Sequence, residues 1–408
     1  EVGNIIIRKP ATPGMEDRKG IILQGHIDMV PQKNNDTPHD FEKDPIIPWI
    51  DGEWVKAKGT TLGADNGIGV AAAMAVLEAK DLVHGQVEAL FTIDEETGMT
   101  GAFGLKPGLF TGDILMNLDT EEEGDLCVGC AGGTNANIKM KYAEEPVPAD
   151  AQAVKLTVKG LKGGHSGVDI HLERANSNKL LNRVLWFAYN NFGLRLSSID
   201  GGSLRNAVPR ESMAIVTLPK TNVDAFQKYV KEFAAVVINE YKGVEDGITL
   251  LTEPVAAPGF VMDGKATFNF LNAIYATPNG VIRVSQDMKG LVETSTNLAI
   301  VKSENKSITI QCLLRSSVDS AKEDLERMFA CVYNLAGAES LFDGRYPGWK
   351  PNMNSSILKE MLAAYEKQFG KKPLVGAVHA GLECGLLGGV YKNWDMISFG
   401  PTICFPHS

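Results

Sequence analysis

Short apolar runs that stop abruptly at acidic or glycine-rich turns organise the first third of the sequence. Leu90 to Ile93 runs straight into Asp94, Glu95, Glu96, Thr97 and Gly98. Gly20 to Gly25 leads into His26, Ile27 and Asp28, and Ile114 to Leu118 leads into Asp119. A further turn carries Gly63, Asp65 and Gly67 and opens an apolar helix predicted over 70–79. Buried as strands, such runs deliver their acids to the carboxyl ends, where open α/β sheets place their ligands. One strand ending in acid is common. Several in one domain are not explained by solubility alone.

Around these runs the pattern predicts a strand at 4–8, a turn from Pro10 to Gly20, and a long polar loop between Pro31 and Lys58 broken by Pro38, Pro45 and Pro48. Strand, helix and strand alternate to about Gly132, the pattern of a mostly parallel sheet covered by helices. From there to about Arg345 the strands read as half-buried, as at 154–159 and 307–311, and amphipathic helices follow them. A weak internal repeat relates 212–218 with 223–233 to 307–314 with 318–332. After Trp349 the alternating strand and helix pattern returns, with a helix at 355–369, a strand at 375–379, a glycine-rich turn at 380–385 and a strand at 395–399. The predicted fold class is therefore α/β. A doubly wound, mostly parallel catalytic domain occupies 1–132 and 346–408, and an α+β lid domain of two related units is inserted at 133–345.

Composition narrows the partners. With 408 residues, 44% of them hydrophobic, the chain can fill two cores. Its net charge of -10 leaves no basic footprint, which argues against nucleic acid or an anionic membrane as partner. No apolar stretch reaches the roughly 18–20 residues of a membrane span. Six cysteines in a chain this long do not form a disulfide framework and favour a reducing, cytoplasmic compartment. Cys127 and Cys130 have CxxC spacing but no second pair, and inside a strand-like run they read as packing residues. The sequence begins at Glu1 without methionine, so it is expected to be part of a longer protein.

The chemistry follows from the residue types at the run ends. His26, Asp65, Glu96, Asp119 and the distant His407 offer imidazoles and carboxylates, a donor set for zinc, manganese or cobalt and too nitrogen-rich for calcium. Asp65, in its glycine-rich turn, is the candidate bridge between two ions. His26 and Asp28 are two apart and face the same way on an extended segment, so Asp28 can hold the imidazole in its ligating tautomer. Glu95 and Glu96 are adjacent and therefore take different roles, one as ligand and the other as general base. Singly, each has a plain structural reading: a core histidine, a solvated Glu–Glu turn, an aspartate helix cap. Their joint placement after strand ends is what favours a site.

These motifs, Gly25-His26-Ile-Asp28, Gly63-Ala-Asp65-Asn-Gly67, Asp94-Glu95-Glu96-Thr-Gly98, Asn117-Leu-Asp119-Thr-Glu121 and the terminal Gly400 to His407, resemble the motif series of the aminoacylase/carnosinase clan of di-zinc exopeptidases. The nearest resemblance within it is to the bacterial branch that cleaves aminoacyl-histidine dipeptides. The resemblance implies two zinc ions per subunit, with cobalt or manganese as substitutes. His26 and Asp119 would hold one ion, Glu96 and His407 the other, with Asp65 between them. It further implies that Asp28 orients His26 and that Glu95 is the general base. Small dipeptides of the carnosine type are the implied substrates, and a homodimer is the implied assembly.

The lid segment adds His165 in Lys162-Gly-Gly-His165-Ser-Gly167, which resembles the family histidine that steadies the scissile carbonyl, in cis or in trans. Asn206 lies in a segment like the one that contacts substrate. Thr217-Leu-Pro219 stands where many relatives place an arginine, so Arg315, at the end of the corresponding strand of the second repeat, is the candidate for the substrate carboxylate. His379 and Glu383, in a segment typical of the dipeptidase branch, are candidates for a substrate ammonium or imidazole. Three other readings remain open at this point: an N-acyl amino acid deacylase with the same metals, a two-metal phosphoesterase, which lacks an accompanying arginine cluster, and a non-catalytic metal-binding protein sharing the fold.

Overall fold

The structure is a computed structural model that describes residues 2–407. Its chain divides into two compact units. One joins the residues up to Cys130 with those from Gly348 onward, and the other spans Ala131–Pro347.

The first unit is built on a seven-stranded sheet. Its order runs Ile5–Lys9, Val87–Thr92, Ile21–His26, Ile114–Asn117, Asp395–Ser398, Asp125–Cys130 and Leu374–Val378. The four strands from Val87–Thr92 to Asp395–Ser398 pair in parallel, so their carboxyl ends share one edge. Val87–Thr92 is buried at every position, as expected for a strand covered on both faces. Ala73, Ala89, Leu23 and Phe91 form part of the packing between this sheet and the helix Ala64–Glu78. The order brings Asp395–Ser398 against Ile114–Asn117, which carries the late Gly400–His407 segment to strand ends formed much nearer the start of the chain.

Three local features differ from the sequence reading. The polar loop holds a short hairpin, Pro48–Asp51 paired with Trp54–Ala57. The helix assigned to Ala64–Glu78 has non-helical dihedrals at Asp65 and Asn66, so its regular turns begin at Gly67 and Asp65 lies in the approach. Asp94 sits at φ 57 and its carboxylate accepts from the hydroxyls of Thr97 and Thr100, so it stabilises its own turn and parts company with Glu95 and Glu96.

The second unit is a nine-stranded antiparallel sheet with the helices Ser177–Phe192, Val223–Glu240, Gly264–Ala276 and Asp319–Leu335. Both halves of the internal repeat fold as strand followed by helix, Ser212–Pro219 before Val223–Glu240 and Ser307–Ser316 before Asp319–Leu335. Phe226, Phe270, Phe329 and Tyr333 are fully buried in its core. Each such side chain contributes ~1.5–3 kcal/mol relative to exposure. The Tyr333 hydroxyl is satisfied by Thr277 Oγ1 at 2.8 Å. Among the described residues, no helix is long and apolar enough to cross a membrane.

Candidate metal centre and active site

His26 ends the strand Ile21–His26 and is 1% exposed. Its Nδ1 lies 3.0 Å from the backbone carbonyl of Asp28, which leaves Nε2 free of that bond and turned to the acids. Nε2 lies 3.1 Å from Asp65 Oδ1 and 3.4 Å from Asp119 Oδ1. On the other side, His407 Nε2 lies 3.0 Å from Glu96 Oε2 and 3.8 Å from Asp65 Oδ2. The two oxygens of Asp65 thus face two different imidazoles, one grouped with Asp119 and the other with Glu96.

Close backbone approaches make this convergence feasible. A Cβ on Gly25 would come within 2.1 Å of Asn66 Oδ1, so only glycine lets the Asp65–Asn66 turn lie against the His26 strand. A Cβ on Gly400 would meet the Thr120 carbonyl at 2.0 Å. There the tail is pinned beside the Asp119 segment by Ile403 N donating to Glu121 O at 2.9 Å.

Asp28 makes contacts beyond the one expected of it from the sequence. Its carboxylate is 3.4 Å from His26 Nδ1, but its two oxygens accept from the amides of Glu95 and Glu96, each at 3.1 Å. It therefore fixes the backbone that presents both glutamates, while its own carbonyl orients the histidine.

The electrostatics describe an acidic cage. Burial would lower the His26 pKa, but hydrogen bonding to Asp119 and Asp65 and the charges of Asp119 and Glu95 push it up to about 12. Burial and the Asp119 charge push Glu95 up to about 8. Burial and Asp65 raise Glu121 to about 7. No role for Glu121 was expected from the sequence; its two-residue spacing from Asp119 was the available signal. Asp119 Oδ1 is buried, 3.4 Å from His26 Nε2. Carboxylates this close, facing two imidazole nitrogens, form a donor set that fits divalent cations. Among the described residues, His26, Asp65 and Glu96 place ligand atoms within 4.8 Å of one another.

His379 and Glu383 are 7% and 1% exposed. Glu383 Oε2 accepts from Gln24 Nε2 at 2.6 Å and Thr92 Oγ1 at 2.7 Å, inside the unit. Burial raises its pKa to about 7.

The second unit has its own polar cluster. His165 Nδ1 accepts from the amides of Gly167 and Val168, at 3.2 and 2.9 Å, which places the ring proton on Nε2. Burial and the Arg315 charge lower its pKa and keep it neutral. His165 pairs in register with Ala207, and Ser166 N donates to the Asn206 carbonyl at 2.8 Å. Arg315 is 5% exposed, with Nη1 on the Tyr346 hydroxyl and Nε buried without a hydrogen bond. Asn297, which the sequence did not single out, donates to the carbonyls of Arg205 and Ala207 and so holds the backbone on both sides of Asn206.

The model of peptidase family M20/M25/M40 matches residues 22–407. The chain belongs to this family. Membership implies use of a divalent metal. The chain is 49% identical over its whole length to the cytosol non-specific dipeptidase of Escherichia coli strain K12, covering 84% of that protein. Its structure superposes on the crystal structure of aminoacylhistidine dipeptidase from Vibrio alginolyticus with a TM-score of 0.96 at 50% identity, over 100% of this chain and 83% of that one. A tripeptidase from Staphylococcus aureus, 14% identical with a TM-score of 0.50, shares the fold.

Proposed function

We propose that this M20-family protein is a metallo-dipeptidase that hydrolyses small dipeptides, aminoacyl-histidine dipeptides among them, with two divalent cations. The observation that carries the two-ion reading is Asp65, whose oxygens face His26 with Asp119 on one side and His407 with Glu96 on the other. Those five residues would hold the ions, zinc being the best match to a mixed imidazole and carboxylate set. Bound there, the cations supply the positive charge that acidifies water and polarises a carbonyl.

Glu95 is assigned as general base. It is half-buried, its backbone amide is held by Asp28, and its elevated pKa suits a group that takes a proton from water and returns it to the leaving amine. His165, with its proton on Nε2, is assigned as hydrogen-bond donor to the carbonyl oxygen as that oxygen gains charge, in cis or in trans. Arg315, with an unbonded buried Nε, is assigned to the substrate's terminal carboxylate, and Asn206 to its backbone. A homodimer in the cytoplasm is part of the same reading, in keeping with the cytosolic name of the Escherichia coli relative.

Elemental analysis and hydrolysis of a β-alanyl-histidine substrate, run together on wild type and Glu95→Ala, test this. About two zincs per chain in both, with turnover only in wild type, is the expected result. A wild type that binds no divalent metal sinks the reading. Metal with turnover of N-acetyl amino acids in place of dipeptides would move the activity to deacylation.

A further inference from the structure

Beneath the acidic cage lies a row of buried polar side chains that the mechanism above does not use. Gln24, Asn117 and Ser398 are lateral neighbours in the parallel sheet, and Thr92 pairs with His26. All four, and Glu383 with them, are at most 1% exposed. Gln24 stands two positions before the proposed ligand His26 on the same strand and shares its face, and Asn117 ends the strand two positions before Asp119.

The hydrogens along this row run one way. Asn117 Nδ2 donates to Gln24 Oε1 at 2.5 Å, and Ser398 Oγ donates to Asn117 Oδ1 at 2.5 Å. With the Ser398 hydrogen so committed, the 2.7 Å contact between Thr120 Oγ1 and Ser398 Oγ has Thr120 as donor. Gln24 Nε2 donates to Thr92 Oγ1 at 3.2 Å and to Glu383 Oε2 at 2.6 Å, and Thr92 Oγ1 donates to the same Oε2 at 2.7 Å. The shorter bonds along the row thus run toward Glu383, whose Oε2 accepts twice, while Thr92 Oγ1 also lies 3.3 Å from the Gly25 carbonyl. Replacing that acceptor with carbon would leave Gln24 Nε2 and Thr92 Oγ1 only their longer contacts, 3.2 Å to Thr92 Oγ1 and 3.3 Å to the Gly25 carbonyl, and would loosen the rotamers of the row.

We propose that Glu383 is a positioning residue for the metal centre. It is the terminal acceptor of a one-way hydrogen-bond row that fixes the strand ends carrying His26 and Asp119 and the turn carrying Glu95 and Glu96. Its Oε2 is committed to Gln24 and Thr92 and its Oε1 is buried without a hydrogen bond, so the positioning role is set against the substrate contact expected from the sequence. The proposal rests on the reading of His26, Asp119 and Glu96 as metal ligands.

The discriminating variants are Glu383→Gln, whose amide oxygen can still accept both bonds, Glu383→Leu, which cannot, and Thr92→Val, which keeps the shape and removes the hydroxyl. Zinc dissociation constants from chelator competition, urea midpoints, and kcat and KM on β-alanyl-histidine are measured on each and on wild type. Zinc affinity close to wild type in Glu383→Gln, against a loss of ~10–100-fold in Glu383→Leu and Thr92→Val, is expected. If Glu383→Leu does not fold, Thr92→Val decides. Unchanged zinc affinity in folded Glu383→Leu or Thr92→Val, with only the urea midpoint shifted, overturns the proposal in favour of a packing role. A raised KM with intact zinc affinity in Glu383→Gln overturns it in favour of a substrate contact. A wild type that binds no zinc removes the ligand reading itself, and the proposal with it.

Discussion

At the scale of the residue, hydrogen-bond direction decides what a side chain can do. His165 shows this most clearly. Two backbone amides occupy Nδ1, burial and then the Arg315 charge lower the ring's pKa, and the ring is left as an Nε2–H donor. His165→Ala should therefore lower kcat by ~10²–10³-fold, the usual cost of one oxyanion donor. Zinc content should stay at the wild-type level, which elemental analysis beside steady-state kinetics would check. A variant that lost zinc or kept full kcat would exclude the donor role. The histidine motif was legible in the sequence. Its tautomer was not, because the deciding amides come from a turn whose dihedrals the residue names leave open.

At the scale of the element, one carboxylate joins a strand to a helix. Asp395, on the strand Asp395–Ser398, accepts from the amides of Ser356 and Ile357 at 2.9 and 3.0 Å, and from the hydroxyls of Ser355 and Ser356, both at 2.6 Å. It thus caps the amino end of the helix Ser356–Phe369, alongside Ser355, which accepts from Leu358 N. Burial alone would raise the Asp395 pKa, but these bonds outweigh it and hold the pKa below the ordinary value of 3.8. Because the folded pKa is the lower one, the stabilisation is complete above 3.8 and disappears as pH falls through the folded pKa. Asp395→Asn should cost ~1–2 kcal/mol near neutral pH. Urea midpoints of the metal-free proteins, taken from neutral pH downward, should converge with wild type in acid. A gap that widens in acid would mean that the carboxylate is not the source of the effect. The helix was predicted at nearly its observed bounds. Its cap was not visible, because the capping residue comes from a strand some forty positions later.

At the scale of the whole molecule, the two units carry separate cores, and the proposed metal ligands all belong to one of them. Removing metal with a chelator should abolish hydrolysis and destabilise the unit that holds the acidic cage. At a hundredfold excess of free metal over its dissociation constant, bound metal stabilises by ~2.7 kcal/mol. Calorimetry should accordingly show one transition that moves down on chelation and returns with zinc, and another that stays in place. Equal movement of every transition would show that both units unfold together. The mostly parallel sheet, the half-buried strands and following helices of the second unit, and most proposed ligand positions could be read from hydrophobic periodicity and from the residues at which each apolar run ends. The hairpin 48–57 was missed although Asp51-Gly52 between two apolar pairs is a turn signal, because Pro38, Pro45 and Pro48 ahead of it made the whole stretch read as a loop.

The sequence by itself determined which residue types stand at the ends of buried strands. Strand periodicity ties Gln24 to His26, and an apolar run that ends in acid has few other places to go. The tertiary structure alone decided which strand ends lie side by side. Asp395–Ser398 inserts next to Ile114–Asn117, and Gly400 allows a backbone contact no other residue would permit, so His407 arrives opposite Glu96. The same order turned scattered polar residues inside apolar strands into a continuous hydrogen-bonded row ending at Glu383. Neighbourhood in a sheet depends on long-range pairing, and no local pattern encodes it.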